Sequence, residues 1–511
     1  METEIIDSRF LRPCEVEADE AEIRPVTMVI FGGSGDLSRR KLMPTLFHLH
    51  RKESLDGLTV IGFGRHNLDD EGFRSTMKEA TNEFGGEPFD DAQWNDFSGR
   101  LYFLAGDYED DAAYQRLREL IERVSIRAGD AFDVIYYMAV PPEVVSGIVE
   151  KIRQNRKDNG ELREKIIVEK PFGRDRASAS SLNMLLTTAF REEQIYRIDH
   201  YLGKETVQNI LFLRFSNAIF EQLWSNRHID HVQITVAEEI GIEHRGSFYE
   251  QAGVIRDMVQ NHILQLIAMV AMEPPVGFQA DFIRDERTKL LRSIRPLEKK
   301  YVDACMVRGQ YGKGVIDNSD VRGYREEEGV SPASCIPTFF AGKFHIDNLR
   351  WAGVPFYVRT GKRLQRRVSE ICIQLRQLPL RLFGRTCDTM EPNILVLTIQ
   401  PDERISLRFN VQYPHTAGQV HSVDMTLNYR ETFKTSPHPS YERQLLDCMK
   451  GDLTLFVRQE AVEAMWEIVD PINSRWEECA QEDLPNYAAG SWGPEAAKSL
   501  IEQDGRRWIT Q

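Results

Sequence analysis

Nine residues, Arg197-Ile198-Asp199-His200-Tyr201-Leu202-Gly203-Lys204-Glu205, place a carboxylate, an imidazole, a phenol and an ammonium within a few positions. Such a set can bind a ligand through charge-assisted hydrogen bonds. A strand-like run, Gln194–Ile198, precedes it and a helix-like run, Glu205–Phe215, follows it. Open α/β sheets bind ligands where strands end and helices begin. Helix N-termini also favour anions through free N–H groups. The bland alternative is a polar surface loop.

Three further clusters carry polar or charged groups in position for chemistry. Asp257-Met258-Val259-Gln260-Asn261-His262 lies within an otherwise apolar helical run, Tyr249–Met272. A histidine on a buried helix is more often a satisfied core residue than a base, but this many polar groups are costly to bury. At 100° per residue, Asp257 and His262 stand about 140° apart, so an α-helix has to line a cleft with more than one face. Glu238 and Glu239 end a strand shortly before. Val168-Glu169-Lys170-Pro171-Phe172-Gly173 closes another strand, which puts Lys170 at a C-terminal sheet edge before a proline able to adopt a cis bond. Phe356 to Arg367 forms a basic island with Arg359, Lys362, Arg363, Arg366 and Arg367, whose plain reading is a solvated hairpin.

The first strand runs into Gly32-Gly33-Ser34-Gly35-Asp36-Leu37. The spacing departs from strict Gly-x-Gly-x-x-Gly, yet glycines there still let backbone approach a pyrophosphate ahead of a helix N-terminus. The second strand ends Gly62-Phe63-Gly64-Arg65-His66. An arginine without a neighbouring acid suits the 2′-phosphate of NADP better than the free ribose of NAD.

The elements that must position these groups can also be read. Apolar runs at Val26–Phe31, Leu58–Phe63, Leu101–Leu104, Phe132–Ala139, Lys165–Val168 and Gln194–Ile198 alternate with helical spacing at Asp69–Glu83, Ala112–Val124 and Ala177–Phe190. That order predicts a parallel sheet covered on both faces. Beyond Lys204, period-two alternation at His231–Val236, Glu370–Leu375, Ile394–Ile399, Ile405–Val411 and Val423–Asn428 predicts an antiparallel sheet with one wet face. Helical spacing returns at Tyr441–Met449 and Glu460–Ile468. The expected class is α/β: a Rossmann-like dinucleotide-binding domain over 26–200, then a larger α+β domain over 201–511 with a mainly antiparallel sheet. Residues 1–25 are expected to form a flexible acidic tail.

Composition sets limits. The net charge of −15 argues against binding along nucleic acid, which needs a basic surface. Seven cysteines show no Cys-x-x-Cys pair, so no metal site is expected and reduced thiols in a cytoplasmic protein fit best. The acidic N-terminus resembles neither a signal nor a transit peptide. The longest apolar stretch, Ile263–Met272, is interrupted by Gln265 and too short to span a bilayer, so no membrane association is expected.

In this order, the glycine loop, Glu169-Lys170-Pro171-Phe172-Gly173, Arg197–Glu205, Asp257–His262 and Val358-Arg359-Thr360-Gly361-Lys362-Arg363-Leu364 resemble the glucose-6-phosphate dehydrogenase family. The likeness runs from about residue 26 to the C-terminal Gly490-Ser491-Trp492-Gly493-Pro494 segment. It implies oxidation of glucose 6-phosphate at C1 with NADP, or less efficiently NAD. His262 is then the general base and Asp199 its orienting carboxylate. His200, Tyr201, Lys204, Lys362 and Arg367 are implied as phosphate ligands, and Glu238 and Asp257 as partners of the sugar hydroxyls. Lys170 is implied to stand between substrate and cofactor. Gly32, Gly33, Ser34, Gly35, Asp36, Leu37, Arg65 and Tyr137 are implied on the cofactor. A homodimer or homotetramer built through the antiparallel sheet is also implied. Val368, Cys372 and Thr398 stand where a second, structural NADP would need basic residues, so that site is not expected. Two other readings remain: a different Rossmann-type sugar or inositol NAD(P) oxidoreductase, and a non-catalytic NADP sensor.

Overall fold

The computed structural model describes residues 23–53, 55, 57–125, 132–156, 163–378, 390–416, 419–434, 440–478 and 484–509. The expected acidic tail lies almost wholly outside the described residues.

Six parallel strands form the first sheet: β1 (Val26–Phe31), β2 (Leu58–Gly64), β3 (Leu101–Ala105), β4 (Asp133–Met138), β5 (Arg163–Val168) and β6 (Ile195–Arg197). β1 and β4 are buried at every position, which is why they read as unbroken apolar runs. Val29 and Phe31 face one core with Leu117 and Ile148. Met28 and Ile30 face the other with Leu46 and Phe73. The covering helices are α1 (Met43–Glu53), α2 (Asp70–Phe84), α3 (Asp91–Ser98), α4 (Asp111–Ser125), α5 (Pro142–Asn155) and α6 (Arg176–Ala189). Asp69, Asp90 and Asp175 cap three of them by accepting first-turn N–H groups. The strand order β3-β2-β1-β4-β5-β6 reverses direction between β1 and β4. Loops diverge there and open a crevice at the carboxyl edge. The glycine loop, Lys170 and Asp199 all leave the sheet on that edge.

After α7 (Glu205–Phe215) comes an eight-stranded sheet. Its strands are β7 (Ile229–Ala237), β8 (Met306–Gly309), β9 (Phe339–His345), β10 (Pro355–Gly361), β11 (Val368–Leu375), β12 (Ile394–Gln400), β13 (Arg404–Gln412) and β14 (Val420–Asn428). They lie in the order β14-β13-β12-β11-β7-β10-β9-β8. Neighbours are antiparallel except β7 and β10, where Val232 pairs with Phe356 in parallel.

The expected wet face is absent from the centre of this sheet. The polar alternates Gln233, Thr235, Arg359 and Glu370 are all buried. The C-terminal chain covers them: Gln233 donates to Arg507 O and accepts from Ile509 N, both at 2.8 Å, and the Arg359 guanidinium lies between the rings of Trp492 and Trp508. Alternation marks two chemically different faces, but a segment far along the chain decided that the polar one stays dry. Only β14 is exposed along nearly its whole length.

The single helix expected over Tyr249–Met272 is three pieces. α8 (Gly246–Val254) breaks at Gly253, whose φ of 57° and ψ of 179° suit glycine alone. A π-helical stretch (Ile255–Ile263) follows, then α9 (Leu264–Ala271). Near the end of the chain, α10 (Ser440–Lys450) and α11 (Gln459–Glu478) return to the first sheet. Lys165 Nζ donates to Cys448 O at 2.8 Å and Trp466 Nε1 to Phe172 O at 2.7 Å. These bonds tie the second half of the chain to β5 and to the loop that leaves its carboxyl end.

Candidate active site

The centre is Lys170, at the end of β5. Its ammonium donates to Asp257 O at 3.0 Å and to His262 Nε2 at 2.9 Å, and pairs with Asp257 Oδ1 at 3.4 Å. α-helical spacing would set Asp257 and His262 on different faces. The π-helical stretch corrects that expectation, because i→i+5 hydrogen bonding brings residues five apart onto one face.

His262 Nδ1 lies 2.6 Å from Asp199 Oδ1, and both side chains are buried. An ionised carboxylate can only accept, so Nδ1 carries the proton and Nε2 presents a lone pair. Tyr201 N also donates to Asp199 Oδ1, at 2.9 Å. Burial alone would raise the Asp199 carboxyl, but His262, that N–H and Lys170 hold it below its ordinary value. Burial lowers the proton affinity of His262, and nearby Lys170 adds to this, outweighing the attraction of Asp199. A neutral imidazole held by an ionised carboxylate is a competent general base.

Two groups flank this line. On one side Lys362, wholly buried, is paired with Glu238 and lies 3.4 Å from Asp257 Oδ2. The sequence reading grouped Lys362 with the phosphate ligands. Its closest partners are instead the two carboxylates expected at sugar hydroxyls, and they hold its proton more tightly than burial can loosen it. On the other side, the Tyr201 ring lies 4.5 Å from the His262 ring and its hydroxyl 3.2 Å from Ser369 Oγ. Lys204 Nζ donates to Gln400 Oε1 at 2.9 Å, and Gln400 Nε2 to Ser369 Oγ at 2.8 Å. Burial lowers the Lys204 ammonium, Glu403 opposes this, and the nearby Arg367 charge adds to it. Two cations brought close with little carboxylate to balance them are suited to an anion. Arg367 itself is exposed.

Tyr137 needs correction. It is fully buried and its hydroxyl donates to Glu169 Oε1 at 2.6 Å, so the phenol offers no surface to a cofactor. His200 is turned towards the same carboxylate: Nε2 lies 2.9 Å from Tyr441 Oη and 3.6 Å from Glu169 Oε2.

The glycine loop follows β1 at the switch point. Gly32 has φ +81°, and the N–H groups of Gly32 and Gly33 bond Phe63 O at 2.9 and 3.1 Å. A Cβ on Gly33 would fall 2.5 Å from Gly62 Cα, so this glycine lets the loop lie against β2. Helical structure begins at Asp36 and Leu37, with Asp36 exposed beside Arg40. Ser34 Oγ reaches His66 Nδ1 at 2.7 Å. Arg65 is exposed, lies 5.9 Å from the Tyr108 ring centre, and has no carboxylate partner among the described residues. This cradle fits a dinucleotide: backbone N–H groups at a helix start for the pyrophosphate and a free guanidinium at the ribose end.

Glu169, Ser369, Gln400, Tyr441 and Gln444 also belong to the site, and sequence reasoning assigned none of them a role. Glu169 stood inside a quoted motif. The others are ordinary polar residues far along the chain, with no local signal.

The family model described as glucose-6-phosphate dehydrogenase, NAD binding domain, matches residues 29–209, and that described as glucose-6-phosphate dehydrogenase, C-terminal domain, matches residues 211–509. The glucose-6-phosphate 1-dehydrogenase of Chlamydia pneumoniae is 42% identical over 493 residues, covering 95% of this chain and 96% of that protein. That of Aggregatibacter actinomycetemcomitans is 44% identical over 485 residues, covering 94% and 96%. A solved glucose-6-phosphate dehydrogenase in complex with its substrate glucose-6-phosphate superposes with a TM-score of 0.86 at 34% identity, covering 95% of this chain and 99% of that one. The Mycobacterium avium glucose-6-phosphate 1-dehydrogenase structure gives 0.81 at 36% identity, covering 95% and 99%. On both halves of its length, this chain belongs to the glucose-6-phosphate dehydrogenase family.

Proposed function

We propose that this chain oxidises D-glucose 6-phosphate at C1 to 6-phospho-D-glucono-1,5-lactone, the first step of the oxidative pentose phosphate pathway, with NADP as cofactor and NAD as the less efficient alternative. The observation that carries this reading is the line Asp199–His262–Lys170, at 2.6 and 2.9 Å, on the carboxyl edge of a dinucleotide-type sheet.

Asp199 holds the Nδ1 proton, so His262 Nε2 takes the C1 hydroxyl proton. The imidazolium that forms sits against the Asp199 carboxylate, which offsets its charge. The nicotinamide, when bound, supplies the hydride acceptor. Lys170 stands between the sugar carbon and the cofactor. Glu238 and Asp257, neutralised by Lys362, accept sugar hydroxyls. His200, Tyr201, Lys204 and Arg367 take the phosphate, and anchoring that remote group orients C1. The glycine loop takes the pyrophosphate, and Arg65 with Ser34 takes the ribose 2′-phosphate, which favours NADP.

The outer strand β14 exposes Val423, Met425 and Leu427, and an apolar row there supports a homodimer or homotetramer built through this sheet. The described cysteines are free thiols, as in a cytoplasmic protein.

Initial rates with glucose 6-phosphate and with free glucose, each with NADP and NAD, test the reading. Efficiency higher by at least ~10²-fold for the phosphorylated sugar is expected, because loss of the phosphate leaves several charged donors unpaired. Equal efficiency on both sugars points instead to a sugar oxidoreductase without phosphate recognition.

A further inference from the structure

Helix α10 sends two side chains, Tyr441 and Gln444, into the turn at residues 199–204. Residues three apart share a helix face. Gln444 is fully buried and its Nε2 donates to Asp199 O at 2.9 Å. Tyr441 Oη lies 2.9 Å from His200 Nε2 and 3.1 Å from Glu169 Oε1, with its ring centre 4.3 Å from the imidazole. Gly203 makes room for this contact: a Cβ there would fall 2.8 Å from Ser440 O and 3.1 Å from Gln444 Cδ.

Chemistry sets the direction of the hydrogen bonds. The Glu169 carboxylate accepts only, so it takes the O–H of Tyr441 as it takes that of Tyr137. The Tyr441 oxygen then accepts the Nε2 proton of His200. That leaves Nδ1, which is buried without any hydrogen-bond partner. A buried polar atom left over in this way calls for a ligand. A phosphate dianion needs a donor, so His200 carries both protons when substrate is bound. Glu169 balances that charge, with its Oε2 already 3.6 Å from Nε2.

We propose that Tyr441 is a positioning residue for phosphate recognition: its hydroxyl couples His200 Nε2 to Glu169 and so reserves His200 Nδ1 for the phosphate of the substrate. The inference rests on reading His200 as a phosphate ligand. Tyr441 touches neither the base nor the carbon that reacts, so its loss should alter binding of the phosphate more than the chemical step.

The test uses the full-length protein carrying Tyr441→Phe. The KM for glucose 6-phosphate and the inhibition constant of inorganic phosphate should both rise by about 5–10-fold, the scale of one ordinary hydrogen bond. The kcat and the KM for NADP should stay within about twofold on the same grounds. In a His200→Ala background, adding Tyr441→Phe should change neither constant, since the two residues act as one unit. The same factor in both backgrounds overturns the proposal, as does a fall in kcat with no change in either phosphate-dependent constant. If His200→Ala alone leaves both constants unchanged, it is the reading of His200 that fails, and the proposal with it. Should Tyr441→Phe not fold, Glu169→Gln keeps the shape, removes the charge and should show the same split between KM and kcat.

Discussion

Asp257 and His262 meet at one ammonium: Lys170 Nζ lies 3.0 Å from the carbonyl oxygen of the first and 2.9 Å from Nε2 of the second. The π-helical stretch between Ile255 and Ile263 makes that possible, and the break at Gly253 sets its start. One cation thus ties Asp257 to His262, and it enters from the end of β5 in the other sheet.

Replacing the base tests the centre directly. His262→Asn keeps a polar side chain able to hydrogen-bond but loses the titratable nitrogen. Its kcat should fall by at least ~10²-fold, the scale of general-base catalysis, with the thermal midpoint little changed. Activity near that of the parent enzyme removes His262 from the mechanism.

The pH profile follows from the direction of the His262 shift. Burial lowers its proton affinity, with Lys170 adding to the effect and Asp199 opposing it. The neutral form is the active one, so kcat/KM should rise with pH on the acid limb. The midpoint of that limb should lie below the ordinary imidazole value of about 6.5. A limb centred above about 7 contradicts a base buried in this way.

Lys204 and Lys362 should behave differently despite their shared charge. Lys204→Ala removes a phosphate donor and should weaken substrate binding by roughly 1.5–3 kcal/mol, read in KM with little loss of fold. Lys362→Met leaves Glu238 without its counter-charge and Asp257 with Lys170 alone, and should cost about 3 kcal/mol of stability, read by denaturant unfolding. Equal loss of stability in the two variants argues against the carboxylate pairing of Lys362.

Asp447, buried in α10, offers a stability test away from the reacting groups. Burial raises its carboxyl to about 7, Asp452 adds to this, and the 3.0 Å contact with Arg443 offsets only part. The folded state therefore holds this proton more tightly than the unfolded chain, whose aspartate titrates near 3.9. Stability is lost as pH rises between those values. Asp447→Asn avoids that loss and should be more stable by roughly 1–3 kcal/mol at pH 8, with the gain vanishing near pH 4. A gain of the same size at both pH values would contradict the linkage.

Much of the first sheet was legible in the sequence. β1 to β6 are near-continuous apolar runs because helices cover both faces, and that burial is written into neighbouring residues. The 197–205 segment was legible for a similar reason: strand, turn and helix start are local, and α7 begins at Glu205 as its pattern predicts. Alternation in the second sheet also survived, although its polar face proved dry at the centre.

What sequence could not show depends on partners far along the chain. Lys170 meets Asp257 across 87 residues, Gln444 meets Asp199 across 245, and Tyr441 meets His200 across 241. The C-terminal cover turned Gln233 and Arg359 from solvent-facing residues into buried ones. Tyr137 became a donor to Glu169, and Lys362 a counter-ion to two carboxylates. By itself the sequence determined the two sheets and the order of the chemical motifs. Those follow from side-chain periodicity and backbone preference over a few residues. Tertiary structure alone decided the helical register that aligns Asp257 with His262 and which polar groups are paired, because both are set by packing between segments that no local pattern connects.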